Sequence, residues 1–350
     1  MEESSPARLS EVHRRLQAVR ALLDEADGAG VVLGLRRNFA WLTGGGANHV
    51  VVASEDGAAS ILVTRDETVV LAPVNEAARI EAEELAGLPI EVAPVPWHEP
   101  DALEDEARRR TPGSLLDEMA LEPELARLRS QLSPFDHHRL MAIAVGACQA
   151  MAQTLDTLQP MDTEDQAAGR LLGALAAMGL RAPVLLAAAD ERITRYRHPL
   201  PTATPVRQRL MIVLVAERWG LHVALTRSRA FEPPSAELAR RMDAVETIQE
   251  SMHRATRATS TLGDVMAAAR LAYEASGFPD EWHLHHQGGV IGYQPRERIA
   301  VPGDPTPIRP GMAFAWNPSI SGAKAEETVL LTTDDRLVIM TTSVSTAPDR

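Results

Sequence analysis

Trp316-Asn317-Pro318-Ser319-Ile320-Ser321-Gly322-Ala323-Lys324-Ala325-Glu326-Glu327-Thr328 is the stretch on which the reading of this chain turns. A run of buried character, Met312 to Trp316, feeds it, and an apolar strand, Val329 to Leu331, leaves it. Side chains alternate in face along an extended backbone. Glu326 and Glu327 therefore point opposite ways, and Lys324 shares a face with Glu326. Lys324 is the only lysine in the protein; the other 34 of the 35 Lys+Arg residues are arginine. A composition that has replaced lysine elsewhere keeps one beside a carboxylate, which marks a candidate active-site strand. The competing readings of Lys324 are a purely structural ion pair with Glu326, or chance survival.

Working outward, 350 residues allow one large domain or two ordinary ones. Hydrophobic residues make up 45% of the chain and aromatics only 4%, so a sizeable core built on Leu, Val, Ala and Met is expected. A net charge of −13 argues against nucleic acid or an anionic membrane as partner. The one cysteine, Cys148, excludes an internal disulfide and fits a reducing compartment. It lies on an apolar helix stripe and reads as core. Met1 to Glu25 is charged throughout and carries no signal-peptide core, and no apolar run is long enough to span a bilayer. A soluble, cytoplasmic chain is expected.

Apolar spacing predicts an opening helix over Ala7–Glu25. Short β-like runs follow at Val31–Leu33, Phe39–Leu42, Val50–Ala53, Ala59–Val63 and Thr68–Leu71, with Gly44-Gly45-Gly46 as a hairpin turn. A helix over Asn75–Leu85, a strand over Ile90–Ala93 and a helix over Pro100–Arg109 complete a mixed α/β domain. Ser133-Pro134 makes the junction. Helices His137–Leu158 and Glu164–Met178 come next, then strands Val184–Ala188, Leu210–Ala216 and Leu221–Thr226. Helices Ser235–Ala258 and Leu262–Ser276 lead into a final stretch of strand and loop. The order helix, helix, strands, helix, helix, strands predicts two similar α+β halves over one curved sheet. No phosphate loop, no dinucleotide fingerprint, no cysteine pair for zinc and no Gly-x-Ser-x-Gly elbow is present.

Polar chemistry gathers in three further places. Tyr196-Arg197-His198-Pro199-Leu200-Pro201 fixes His198 in a loop, either for acid/base work or for a backbone hydrogen bond. In Trp282-His283-Leu284-His285-His286-Gln287-Gly288-Gly289, His283 and His285 share a face if the segment is a strand. That spacing suits a metal ligand pair with Glu326 as a third, but nothing local supplies a fourth. Otherwise these histidines are a half-exposed strand rim. Arg296-Glu297-Arg298 after Tyr293, with Arg227 upstream, could hold a substrate carboxylate, or could simply be solvated.

Asn38-Phe39-Ala40-Trp41-Leu42-Thr43-Gly44 and Ala325-Glu326-Glu327-Thr328-Val329-Leu330, within a two-domain layout, resemble the creatinase / Xaa-Pro peptidase superfamily, the M24 pita-bread fold. Tyr-Arg-His-Pro-Leu-Pro at 196–201, His-His-Gln-Gly-Gly at 285–289 and Phe-Ala-Trp-Asn-Pro-Ser at 314–319 resemble a subgroup of it. The resemblance covers essentially the whole chain. It implies an α/β fold: an N-terminal creatinase-like α/β domain over 1–131 and a C-terminal α+β pita-bread catalytic domain over 132–350. It also implies a homodimer.

Metallopeptidases of that family bind two metal ions through two Asp, one His and two Glu. By resemblance the first aspartate falls at Val213 or Ala216 and the second at Ala224 of Ala224-Leu225-Thr226-Arg227. The histidine falls at Gly289 and the first glutamate at Asn317. Only Glu326 survives, so four of the five ligands are missing, and no metal and no cofactor are expected. Creatinase shares the fold, uses no metal and hydrolyses a C–N bond with a histidine, whose position His198 matches.

The expected function is a metal-independent C–N hydrolase acting on a small carboxylate-bearing amide, amidine or dipeptide-like substrate. His198 is its general acid/base, Glu326 orients water or the substrate nitrogen, and Lys324 and Asn317 stabilise charge. Arg227 or Arg296 anchors the substrate carboxylate; His285, His286 and Tyr293 line the substrate. The alternatives are a lyase or isomerase using the same pocket, or a non-catalytic ligand-binding homologue.

Overall fold

The computed structural model describes residues 6–342. The outermost ends of both expected domains, residues 1–5 and 343–350, lie outside the described residues. The chain forms two compact units. The first runs through Phe135 and includes Trp219–Leu221; the second runs from Asp136 and holds the remainder.

The first unit opens on helix α1 (Pro6–Glu25), whose Val12, Leu16, Val19 and Leu23 are buried as the spacing predicts. Strand β1 (Gly30–Leu35), helix α2 (Arg36–Leu42), strands β2 (Asp56–Thr64) and β3 (Thr68–Pro73), helix α3 (Val74–Arg79), strand β4 (Glu91–Val95), helix α4 (Ala102–Arg110), strand β5 (Leu115–Leu116) and helix α5 (Glu122–Ser130) follow. The sheet order is β4-β3-β2-β1-β5. Its centre is antiparallel and its two edge pairings, β3 with β4 and β1 with β5, are parallel.

Two expected strands are corrected here. Phe39–Leu42 lies in α2, where every residue from Asn38 to Leu42 is buried. The run is apolar and short, so its period alone could not separate a helix from a strand. Gly44 and Gly45, with φ of 63° and 105°, stop that helix rather than turn a hairpin. Val50–Ala53 is an exposed turn with Val50 at 62% exposure, because no neighbouring strand pairs with it. The Asn75–Leu85 helix is present as α3 continued by a π-helical turn over Ile80–Glu84.

The second unit opens on helices α6 (Pro134–Asp156) and α7 (Glu164–Ala177), with Cys148 buried in α6. Strand β6 (Arg181–Ala189), the short helix α8 (Glu191–Arg195) and strands β7 (Arg209–Arg218) and β8 (Leu221–Ala230) come next. Helices α9 (Ala236–Ala255) and α10 (Leu262–Ala275) precede β9 (Gly288–Ile291), β10 (Arg298–Ile299), β11 (Ala313–Trp316), β12 (Ser319–Ile320), β13 (Ala323–Lys324), β14 (Glu327–Leu331) and β15 (Leu337–Ile339). Thr163 and Thr261 cap α7 and α10, each bonded to the backbone of the residue three on while that residue's side chain bonds back.

The expected single curved sheet is instead a three-stranded sheet, β6-β7-β8, and a five-stranded sheet, β10-β9-β11-β14-β15, with β12 and β13 as a separate hairpin. Side chains as well as backbone join the two larger sheets. Thr328 Oγ1 accepts from the Ala224 amide and donates to the Ala224 carbonyl, both at 2.8 Å. The Thr226 amide donates to the Glu326 carbonyl at 3.2 Å. Glu326 thus stands at the seam between the sheets. Under the five-stranded sheet, Ile248, Met252, Val265 and Tyr273 of α9 and α10 pack with Phe314, Trp316, Val329 and Leu331.

Candidate active site

Glu326 sits between β13 and β14 with its side chain 2% exposed. Its Oε2 lies 3.2 Å from Lys324 Nζ and accepts from Thr226 Oγ1 at 2.7 Å. Its Oε1 accepts from Arg296 Nη2 at 3.0 Å. Burial opposes ionisation of this carboxyl, but Lys324, Arg296 and the Thr226 hydroxyl outweigh it and hold the pKa down at about 2. Burial in turn pushes the Lys324 ammonium and the Arg296 guanidinium below their ordinary values, while Glu326 pulls both back up. Two cations facing one carboxylate leave one positive charge unmatched within the cluster.

His198 is exposed and reaches His285, with Nε2 to Nε2 at 3.0 Å. A contact of that length between two imidazoles takes one proton, so one ring donates and the other accepts. His285 and His286 stack at 4.5 Å between centroids. One ring nitrogen from each of His198, His285 and His286 falls within 4.8 Å of the others. Burial, followed by Lys324, lowers the His198 pKa. Burial takes His285 to about 2 and His286 to about 4. All three rings are held neutral near pH 7. The Nδ1 atoms of His285 and His286 are buried with no hydrogen-bond partner, as is Asn317 Oδ1.

Buried polar groups fix the two segments that carry these rings. Glu164, fully buried on α7, accepts from the Ala189 amide (2.7 Å), Arg192 Nε (3.0 Å), the Thr202 amide (3.0 Å) and Thr202 Oγ1 (2.8 Å). The loop bearing His198 is thereby tied back to β6. Arg197 pairs with Glu281 and also bonds Ser321 Oγ at 3.1 Å and Ser319 Oγ at 3.3 Å. Glu281 also accepts from the Ser321 amide at 3.0 Å. Tyr273 Oη lies 2.6 Å from Gln287 Oε1 and accepts from the Ser319 amide at 2.9 Å, which sets the entry to β9 beside His285 and His286.

Of the residues singled out in the sequence, the fold brings together Lys324, Glu326 and Arg296 in one cluster and His198, His285 and His286 in another. Arg296 arrives as a partner of Glu326, not as a free substrate anchor. Arg227 is not brought to Glu326. It pairs with Glu327, Nη1 to Oε1 at 3.1 Å, and with the Thr341 carbonyl, on the opposite strand face. Tyr293 is buried, and its hydroxyl donates to Asp136 Oδ1 at 2.7 Å. The His283–His285 strand pairing is also corrected. Glu281–Leu284 is a 3₁₀ turn with His283 exposed and its ring 3.8 Å from that of Trp282, so His286 takes the expected place of His283 beside His285. His285 itself is extended, with φ −161° and ψ 146°, yet its ring stacks on that of His286. Sequence reasoning passed over Glu164, Thr226 and Glu281. A carboxylate at the first helical position, directly after the Thr163 cap of an Ala-rich helix, was the one available signal for Glu164.

The family's dimetal ligand set does not fit. Val213, Ala216 and Ala224 are buried and apolar. Gly289 has φ 157°, and a Cβ there would stand 2.0 Å from the Arg298 carbonyl oxygen, so no ligating side chain can be housed. The surviving carboxylate is already held by two cations and a hydroxyl. A cleft of about 610 Å³ along β8 and the start of α9, lined by Gln208, Arg209, Ser228, Glu237 and Arg241 among others, includes neither Glu326 nor any of the three histidines.

Residues 139–333 match the model of metallopeptidase family M24. A curated relative, the probable dipeptidase PepE of Mycobacterium tuberculosis, is 31% identical over 121 residues, 33% of this chain and 32% of that protein. The match spans about a third of the relative's length. The fold is that of the dipeptidase PepE from Mycobacterium ulcerans, with a TM-score of 0.77 at 19% identity over 95% of this chain and 96% of the other. The prolidase from Pyrococcus horikoshii OT3 aligns with a TM-score of 0.78 at 15% identity over 94% and 98%.

Proposed function

The chain belongs to metallopeptidase family M24, the pita-bread superfamily of creatinase and the Xaa-Pro peptidases, and on that premise we propose a hydrolase that cleaves a C–N bond without the family's dimetal centre. The substrate is a small carboxylate-bearing amide, amidine or dipeptide-like molecule, of the kind that the names dipeptidase and prolidase denote in its relatives. The observation that carries this reading is the occupation of Glu326: Lys324 and Arg296 stand at 3.2 and 3.0 Å from its oxygens, at the one family ligand position that survives. Fixed cations there supply charge stabilisation to a carboxylate or a developing oxyanion.

His198, neutral and in contact with His285, is the general acid/base in this reading. It takes a proton from water, with His285 fixing which nitrogen is free, and returns it to the leaving nitrogen. Asn317 Oδ1, a buried acceptor with no partner, supports recognition of a substrate N–H. We include in the proposal a domain boundary at 131/132, a homodimer and a cytoplasmic location.

The test is a panel of Xaa-Pro dipeptides and small amides and amidines, assayed on chelator-treated protein. Turnover that survives chelation and disappears in His198→Ala supports the reading; turnover that chelation abolishes refutes it. Hydrolysis must place oxygen from labelled water in the product, which a lyase or isomerase would not do. The loss of four of the five family ligands favours one other reading, a catalytically silent binding protein. That predicts thermal stabilisation by a ligand from the same panel with no product formed.

A further inference from the structure

We propose that His198, His285 and His286 form a site for one divalent transition-metal ion of the zinc type, and that the bound ion withdraws His198 from proton transfer. The site stands on geometry; the inhibition rests on the acid/base reading of His198 given above. Among the described residues, these three are the group of histidine, cysteine or carboxylate side chains whose donor atoms converge, all within 4.8 Å. Zinc–nitrogen bonds of about 2.0–2.1 Å put two nitrogens of a tetrahedral ion roughly 3.3 Å apart. The His198–His285 pair, at 3.0 Å, is already close to that spacing. The widest pair needs a swing of about 1–1.5 Å, which rotation of an imidazole supplies.

Two further observations point to a ligand. Buried ring nitrogens normally find a partner, yet Nδ1 of His286 is buried and unbonded. And the two ring-bearing segments are linked independently of the histidines by Arg197–Glu281, while Tyr273–Gln287 anchors the segment of His285 and His286 to α10. The rings are positioned before any ion arrives.

The donor set also fixes the kind of ion. Three imidazoles and no carboxylate favour zinc, nickel or copper over magnesium and calcium. Glu326 does not join, because Lys324, Arg296 and Thr226 hold its oxygens. The unmatched positive charge of that cluster means the ion is taken with an anion, hydroxide or a carboxylate, in its fourth position. With Nε2 bound to the ion, the one proton of the neutral ring sits on Nδ1 and no lone pair is left to accept another, so occupancy and acid/base action exclude one another at His198.

The experiment titrates zinc chloride into the full chain after chelator treatment, by calorimetry, with magnesium present in excess. One zinc per chain is expected, with affinity at least about 10-fold weaker in both His285→Ala and His286→Ala. Circular dichroism and thermal melts of the variants check that they fold. No zinc uptake, or uptake unchanged in both folded variants, overturns the site and leaves an adventitious ion only. With a substrate in hand, zinc should abolish turnover with the midpoint seen in calorimetry. Turnover without zinc uptake retains the metal-independent reading and removes this inference. Uptake that raises turnover retains the site but overturns the inhibition, and with it the metal-independent reading.

Discussion

Lys324 Nζ stands 3.2 Å from Glu326 Oε2, with the two side chains 6% and 2% exposed, and Arg296 closes on the other carboxylate oxygen at 3.0 Å. The lone lysine of the chain is therefore one arm of a buried triplet of charges. Its removal leaves Glu326 one cation, whereas removal of Glu326 leaves two cations with none of their countercharge.

Lys324→Met should lower turnover by about 100-fold or more, as loss of a charge aimed at the reacting group does, while costing only about 1–2 kcal/mol of stability because Arg296 still pairs with Glu326. Steady-state kinetics and urea unfolding of the same preparation check both halves. A larger stability loss than activity loss would make Lys324 a structural residue.

Glu326→Gln should be the more damaging change to the fold, by about 3–5 kcal/mol, because it uncouples two buried cations at once. The measurement is the urea midpoint against wild type. A Glu326→Gln, Lys324→Met double variant should recover part of the loss, since it buries one cation fewer.

Arg197→Ala cuts the tie between the His198 loop and the segment carrying Glu281. Amide hydrogen exchange over 196–204 should quicken by about 10-fold or more, with the exchange of β7 unchanged. Equal acceleration in β7 would mean global destabilisation instead.

Acid stability should fall in two windows. His253 on α9 is pushed from an ordinary 6.5 to about 4 by burial, only partly offset by Glu250. Protons then favour the unfolded chain, so the stability from a neutral His253 is complete above about 6.5 and is lost as pH falls toward 4. Glu326 is held at about 2 against an ordinary 4.5, so its contribution is present above about 4.5 and is lost as pH falls toward 2. Unfolding free energies at pH 7, 5 and 4 should drop for wild type and drop less for His253→Gln.

The sequence revealed the alternation that puts Lys324 and Glu326 on one face, because it depends only on a two-residue period. Helices α1, α6, α7, α9 and α10 were legible for the same reason at their own period. The runs that misled, Phe39–Leu42 and Val50–Ala53, are too short for a period to show, and their fate depended on whether a neighbouring strand was there to pair. At the site, the pairing of Arg227 was not legible because its charge is visible in the sequence but its partner, Glu327, is brought to it only by the fold. His283 is turned away from His285 by a 3₁₀ turn over Glu281–Leu284 that no spacing rule announces. Glu164 was passed over because a buried carboxylate on an Ala-rich helix looks like any solvated one until the loop it holds is in place.

The close approach of the Arg298 carbonyl to Gly289 bears on what could be built at this site as well as on its present chemistry. With β10 paired so closely against a bare glycine, a histidine substituted at 289 would break the strand pairing before it could catch an ion. Any design that places a metal-ligating side chain at position 289 must therefore move a backbone as well.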